Sequence, residues 1–305
     1  MKIGILTYHR SHNYGAMLQA VGLLKVLQGM GNDVSFIDYW PKHQSDIYRL
    51  FDINTFKASN WKGKLAYIKY FVQTLIPKKI RRKHFNQFFK EQVEPCCAGV
   101  DTNFDVIFYG SDQIWREQFF GYGYNPVYFG KNNFKAKKHV SYAASMGKLP
   151  CSDVDREKVV SLVKGLDVVS VRESELKQFL EANGLSGIKQ TLDPTFLLGR
   201  TEWEKIASRA ASLSEPYLLL YDLQIDCFDR KKVREFARAK QLKVVEIVGV
   251  ANAMPTETMQ TVDGPYEFIG AIANASYVLT SSFHGLAFSI IFNKPFYYKG
   301  SDKTE

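Results

Sequence analysis

The chain has 305 residues, 46% hydrophobic and 23% charged, an ordinary globular composition with length enough for two domains. No apolar run approaches the ~20 residues of a membrane-spanning helix, and residues 1–7 are too short for a secretory signal and read as a strand. A formal net charge of +9 favours anionic partners; no helix-turn-helix, zinc-finger or RNP pattern is present to read nucleic acid, so no nucleic-acid partner is expected, while phosphorylated small molecules, anionic glycans and an anionic membrane surface stay open.

In chain order, residues 2–7 form a buried strand and residues 16–30 a helix, with Met17, Leu18, Val21, Leu24 and Leu27 at helical spacing. Asn13 is its N-cap and Gly31 its stop. A strand at 34–37 completes a β-α-β unit, which implies a parallel sheet with right-handed crossovers. The loop between has one glycine, Gly15, where a dinucleotide fingerprint needs three, so a nicotinamide cofactor is rejected.

Residues 42–95 break the alternation. Leu65, Ile68, Val72 and Leu75 share one helical face, and the basic run Lys78-Lys-Ile-Arg-Arg-Lys-His84 follows. One reading is a basic amphipathic surface for membranes or anionic acceptors. The other, which is the expectation, is a helical insert that docks this apolar face and solvates its charges. The α/β rhythm then resumes with strands at 104–110, 138–143, 167–172 and 188–192, and helices at 154–166 and 173–183. Pro194 stops regular pairing and holds Asp193 at a turn.

From residue 216 the pattern starts afresh: strand 217–221, helix 228–240, strand 243–248 ending at Gly249, helix 266–274, strand 277–279, a buried helix from His284, and strand 296–298. Residues 195–215 read as the junction. The predicted fold is α/β, two doubly wound parallel-sheet (Rossmann-like) domains: residues 1–200, carrying the insert at about 42–95, and residues 210–305, the second expected to be shortened at its C-terminus.

Ligands of open parallel sheets bind beyond the carboxyl ends of the strands. That rule selects Asn13, Tyr14 and Gly15; Ser111, Asp112 and Gln113; Ser145; Arg172; Asp193; Asp222; and Ser281, Ser282 and His284. Arg172 closes an apolar run and could grip a carboxylate or phosphate in bidentate fashion; its bland alternative is a salt bridge to Glu173 or Glu175. His284 sits where a strand turns into a buried helix, a place that attracts anions; its bland alternative is a turn cap. The six histidines lack metal-ligand spacing, so no metal is expected. The four cysteines, Cys96, Cys97, Cys151 and Cys227, form no disulfide or metal framework and suggest a reducing cytoplasm.

Five stretches carry a resemblance: Asn13-Tyr-Gly-Ala-Met-Leu-Gln-Ala20, Gly110-Ser-Asp-Gln-Ile-Trp115, Ser170-Val-Arg-Glu173, Leu192-Asp-Pro-Thr-Phe-Leu-Leu198 and Thr280-Ser-Ser-Phe-His-Gly285. In this order they resemble the polysaccharide pyruvyl transferase family. The resemblance implies a two-domain fold similar to GT-B glycosyltransferases. It also implies transfer of pyruvate from phosphoenolpyruvate to two hydroxyls of a sugar as a cyclic ketal. The donor is then a substrate and no cofactor is needed. The partners are phosphoenolpyruvate and a sugar or lipid-linked glycan acceptor, with a peripheral contact at the inner face of the membrane left open.

On that resemblance His284, Asp112 and Asp193 are the catalytic candidates, Asp193 the weaker because it could merely brace its turn. Arg172 is the candidate clamp for carboxylate or phosphate, expected to share one cleft with His284. Asn13, Tyr14, Gly15, Ser111, Gln113, Ser281 and Ser282 complete the substrate-binding set. Two departures matter: the family's arginine two residues before the histidine is here Ser282, with Arg10 and Lys294 as substitute cations, and the chain ends soon after the strand at 296–298. The first keeps open a GT-B-like glycosyltransferase with a nucleotide-sugar donor, and both together keep open a non-catalytic glycan-binding protein.

Overall fold

A computed structural model of the chain describes residues 1–118, 121–210, 215–223, 227–247 and 264–300. The expected strand end at 248–249, part of the expected junction (211–214) and the C-terminal residues 301–305 lie outside the described residues. The chain divides into two compact units, Met1–Tyr39 with Lys90–Leu198, and Trp40–Phe89 with Gly199–Glu305.

The first unit opens with β1 (Lys2–Leu6), α1 (Tyr14–Gly29) and β2 (Asp33–Ile37). Three helices follow in chain order, α2 (Lys42–Asp46), α3 (Ile53–Ala58) and the long α4 (Trp61–Gln92). The α/β run then continues through β3 (Cys97–Ala98), β4 (Phe104–Tyr109), β5 (Ala136–Ser141), α5 (Asp153–Val163), β6 (Ser170–Val171), α6 (Ser174–Ala182) and β7 (Lys189–Gln190). The strands pair in parallel in the order β3-β2-β1-β4-β5. Bridges Val140↔Val168 and Ala144↔Val171 extend the row to the β6-β7 pair. Strand order reverses between β1 and β4, so the crevice at their carboxyl ends is where a ligand of this topology belongs. Asn13 caps α1 as expected, its Oδ1 accepting from Ala16 N at 3.1 Å, a contact worth ~1 kcal/mol. The core is continuous from Leu6 and Ile107 through Trp115 and Phe129 to Val171 and Leu180.

In the second unit α7 (Arg200–Ala207) leads to β8 (Tyr217–Tyr221), α8 (Arg230–Ala239), β9 (Lys243–Ile247), α9 (Pro265–Asn274), β10 (Tyr277–Thr280), α10 (Phe283–Ile291) and β11 (Phe296–Tyr298). All pairs are parallel, in the order β11-β10-β8-β9. Strand β8 is buried along its whole length because its alternating residues meet cover on both faces. Leu218 and Leu220 pack with Phe228, Val233 and Ala237 around α8. Tyr221 meets Phe268 of α9 on the other side, and Phe288 of α10 stacks edge-on against Trp203 of α7.

The insert differs from expectation in two ways. It packs with the second unit rather than with residues 1–200: Phe88 lies 4.8 Å from Tyr266 between ring centroids, and His84 Nδ1 is 2.9 Å from Glu267 Oε1. The face of α4 that docks is also not the aliphatic one. Thr74, Arg81, Phe85 and Phe88 are buried, and Tyr67 and Phe71 pack on Phe51, whereas Leu65, Ile68 and Val72 stay exposed. An aromatic side chain buries more area than an aliphatic one, so the aromatic row takes the inward position.

Candidate functional site

The carboxyl edge of the first sheet gathers Ser111 after β4, Ser145 after β5, Arg172 and Glu173 after β6, and Asp193 after β7. Asp193 is the hub. Its Oδ1 accepts from Thr195 N (3.0 Å) and Oγ1 (2.9 Å), and its Oδ2 from Ser111 Oγ (2.9 Å) and Arg172 Nη1 (3.1 Å). Arg172 also donates from Nε to Glu173 Oε1 (3.2 Å) and from Nη2 to Ser145 Oγ (2.8 Å). Burial lowers the Arg172 pKa, but the carboxylates of Asp193, Glu173 and Asp112 outweigh it and hold the guanidinium above its usual range. One guanidinium thus faces three acidic side chains.

These contacts recast several expectations. The side chain of Asp193 has no exposed surface and both oxygens are engaged, so it braces the turn before Pro194 rather than meeting a substrate hydroxyl. Arg172 makes the salt bridge to Glu173 given above as its bland alternative, and holds Asp193 as well. Ser111 is buried; its Oγ bonds Asp193 and its N–H donates to Gln19 Oε1 at 3.0 Å. Asn13 is spent on capping, and Tyr14 and Gly15 are buried in the first turn of α1. Asp112 and Gln113 are half-buried; Asp112 holds a left-handed φ of 53° and accepts from Gln113 N at 2.8 Å, while Gln113 Oε1 takes a bond from Arg116.

Two residues of this edge escaped the sequence reading. Gln19 ties Ser111 to Thr7, its Nε2 donating to Thr7 Oγ1 at 3.0 Å; in the sequence it stood in the resembling stretch Asn13–Ala20 but was given no role. Glu173 was read only as a salt-bridge partner. Its Oε1 takes bonds from Arg172 and from Ser145 Oγ (2.5 Å), while its Oε2 is buried with no hydrogen-bond partner among the described residues. A buried acceptor left unpaired costs ~1–3 kcal/mol.

Beside β1 and β2, Arg10 grips Asp38 through Nε (2.6 Å) and Nη2 (2.5 Å), which removes Arg10 as an uncommitted substitute cation. His9 Nε2 lies 3.5 Å from the same carboxylate. Hydrogen bonding from His9 and Arg10 outweighs burial and holds the Asp38 pKa down to about 2. The ligand atoms of His9, Asp38 and Cys97 lie within 4.8 Å of one another, the group among the described residues able to hold a metal ion. Burial pushes the Cys97 thiol up to about 11, so this sulfur stays a thiol at neutral pH unless a cation displaces its proton.

At the carboxyl edge of the second sheet, Ser281 Oγ donates to Asp222 Oδ1 (2.9 Å) and accepts from Leu223 N (2.9 Å), clamping the ends of β8 and β10 together. Arg230 joins Asp222 (3.0 Å) to Glu246 (2.7 Å). Ser282 is buried and caps α10, its Oγ accepting from Gly285 N at 3.3 Å, so it packs where the family arginine would reach out. His284 follows in the first turn of α10, half-buried, with the Phe283 ring edge-on at 5.1 Å. Gly285 is required: a Cβ there would strike Thr280 Oγ1 and sit 3.1 Å from Tyr221 Cδ1. Lys294 lies between α10 and the start of β11, at the amino edge of the sheet, which rules it out as the replacement cation. Lys299 stands at the carboxyl edge, its N–H donating to Thr280 O at 3.1 Å just past β11.

A family model for polysaccharide pyruvyl transferases matches residues 13–302, nearly the whole chain. The chain belongs to the polysaccharide pyruvyl transferase family. Its five matching stretches supply the strand-end residues described above, and two of them, Ser170–Glu173 and Leu192–Leu198, meet in the Arg172–Asp193 pair. No curated protein matches the chain. Among solved structures, a putative UDP-N-acetylglucosamine 2-epimerase from Listeria monocytogenes aligns with TM-score 0.50 and 11% identity, over 97% of this chain and 78% of that one. A UDP-GlcNAc 2-epimerase from Methanocaldococcus jannaschii gives 0.46 and 13%, over 98% and 83%. The E. coli heptosyltransferase WaaC gives 0.39 and 11%, over 100% and 91%. At 11% identity the Listeria likeness is one of fold alone, GT-B-type α/β with parallel sheets.

Proposed function

We propose that this pyruvyl transferase family member moves the pyruvyl group of phosphoenolpyruvate onto two hydroxyls of a sugar in a surface-polysaccharide precursor. The observation that carries the reading is the cluster at the carboxyl edge of the first sheet, where the Arg172 guanidinium faces Asp193, Glu173 and Asp112 and Glu173 Oε2 has no hydrogen-bond partner among the described residues. In the reaction, both sugar oxygens bond to C2 of the donor and the C2–O bond to phosphorus breaks. One hydroxyl proton ends on the methylene carbon, making the methyl group, and the other on the departing phosphate. Glu173 and Asp112 act as acceptors of the hydroxyl protons, with Arg172 and Asp193 holding Glu173 in place.

The donor belongs with the cations and the helix start of the second unit. Within the second unit His284 binds the donor phosphate, Lys299 supplies charge, and the positive end of the α10 dipole faces the same edge. Ser281 and Ser282 shape this turn from inside. None of the four cysteines is in a disulfide, which supports a reducing cytoplasm as the place of reaction.

The test is incubation with phosphoenolpyruvate and a panel of glycan precursors, read as phosphate release and ketal mass, with calorimetry of the donor alone. Glu173→Gln should lower turnover ~100-fold with donor affinity kept, and His284→Ala should abolish donor binding. Donor affinity untouched by His284→Ala, or full turnover in Glu173→Gln, would overturn the assignment of roles. A second reading rests on Ser282: with no arginine at that position, the donor could instead be a nucleotide sugar. Stabilisation by a nucleoside diphosphate with none by phosphoenolpyruvate would select it.

A further inference from the structure

The long helix α4 carries a row of large apolar side chains that the fold leaves uncovered. Trp61, Leu65, Ile68, Val72, Ile76 and Ile80 recur every three or four residues and so share one face. Their exposures are 68%, 59%, 45%, 64%, 68% and 41%. The opposite face is the one that docks, through Thr74, Arg81, Phe85 and Phe88. The row spans 19 residue steps, about 28 Å of helix at ~1.5 Å per residue. Isolated exposed aliphatics are ordinary, but an unbroken row of this length marks a contact surface.

The charges around the row identify what covers it. Lys62, Lys69, Lys79 and Lys83 are exposed and stand three or four positions from members of the row, and Arg82 is exposed on its flank. From Trp61 to Lys90 the helix has no Asp or Glu. A second copy of the chain docked face to face would set lysines against lysines. A nucleic acid would satisfy the cations but leave the aliphatic row in water. An anionic bilayer satisfies both, taking apolar groups at the headgroup–acyl boundary and cations among the headgroups, with a tryptophan at the row's end suited to that depth. No helix among the described residues is long and apolar enough to cross a membrane, so the contact is peripheral.

We propose that the exposed face of α4 seats this protein on the surface of an anionic phospholipid bilayer, lying flat with its apolar row in the interface. The contact is independent of the reaction assigned above.

The experiment is flotation of the full chain with vesicles of phosphatidylcholine alone or with ~30% phosphatidylglycerol, alongside Trp61 fluorescence. Binding to the anionic vesicles with a blue shift is expected, weakening as salt rises. Lys79→Gln and Lys83→Gln should each lower partitioning about fivefold. Val72→Ser with Ile76→Ser should lower it at least tenfold, and because these side chains touch no core the melting temperature should hold. Four results would overturn the proposal: no binding to anionic vesicles at low salt, equal binding to neutral ones, variants that bind like the parent, or a dimer that Val72→Ser dissolves while vesicles remain unbound.

Discussion

Arg172 is the residue on which two accounts of this site part. If it clamps a substrate anion, removing it should cost affinity and little stability; if it is the counter-charge of Asp193, the order reverses. The Nη1–Oδ2 separation is 3.1 Å, with side-chain exposures of 13% and 0%. At an effective dielectric near 20 that attraction is ~5 kcal/mol, offset by the cost of taking both charges out of water. Removing one partner leaves the other buried and uncompensated, so Asp193→Asn should destabilise by ~3 kcal/mol. Arg172→Met, which strands both Asp193 and Glu173, should cost ~4–5 kcal/mol. The double variant should be milder than the sum by ~2–3 kcal/mol.

Urea unfolding at pH 7 measures this. The two units need not unfold together, but of the four tryptophans only Trp115 lies in the first, and its core position makes its fluorescence report that unit. Single costs under ~1 kcal/mol, or additive ones, with phosphoenolpyruvate binding lost in Arg172→Met, would refute the bracing account and restore the clamp.

Gly285→Ala should lower stability by ~2–3 kcal/mol in chemical denaturation, because its methyl group would collide with Thr280 and loosen the Ser282 N–H bond to Thr280 Oγ1; a neutral effect would show that α10 can lift off β10 freely. Asp38→Asn should flatten the acid limb of the stability curve. The folded pKa is about 2 against an ordinary aspartate value of 3.8, so the stabilisation is complete above pH ~4 and is lost as pH falls toward 2. Discounted for a carboxylate one-third exposed, it amounts to ~1–2 kcal/mol. Parallel pH profiles for Asp38→Asn and the parent would contradict it.

The alternation of strands and helices was legible because each buried parallel strand is a short apolar run closed by small polar residues, as at Tyr217–Tyr221 and Phe104–Tyr109. The span from 167 to 172 was read as one strand, but only Ser170–Val171 is regular. Side chains replace the ladder there: Ser141 Oγ donates to Ser170 O and accepts from Ser170 N, and Ser170 Oγ accepts from Ala143 N. Helical period in α4 was equally plain, but its inward face was not. Aromatic and aliphatic rows compete on that helix, and the partner that decides between them, Tyr266, stands far along the chain from Phe88.

The same limit governs the site. Strand-end placement picks out Ser111, Arg172, Asp193 and Ser281 from sequence, because topology alone sets which edge they occupy. Whether such a side chain is open to a ligand or closed on its neighbours depends on residues that converge only in the fold: Asp193 on Ser111, Arg172 on Ser145, Ser281 on Asp222. Each proved to be closed. The proposed chemistry therefore rests on Asp112, a candidate already in the sequence, and on Glu173, the neighbour of Arg172 that the fold leaves with one oxygen unpaired among the described residues. Hydrogen-bonded braces fix the backbone at the strand ends, and the groups they leave unsaturated are the ones a substrate can still address.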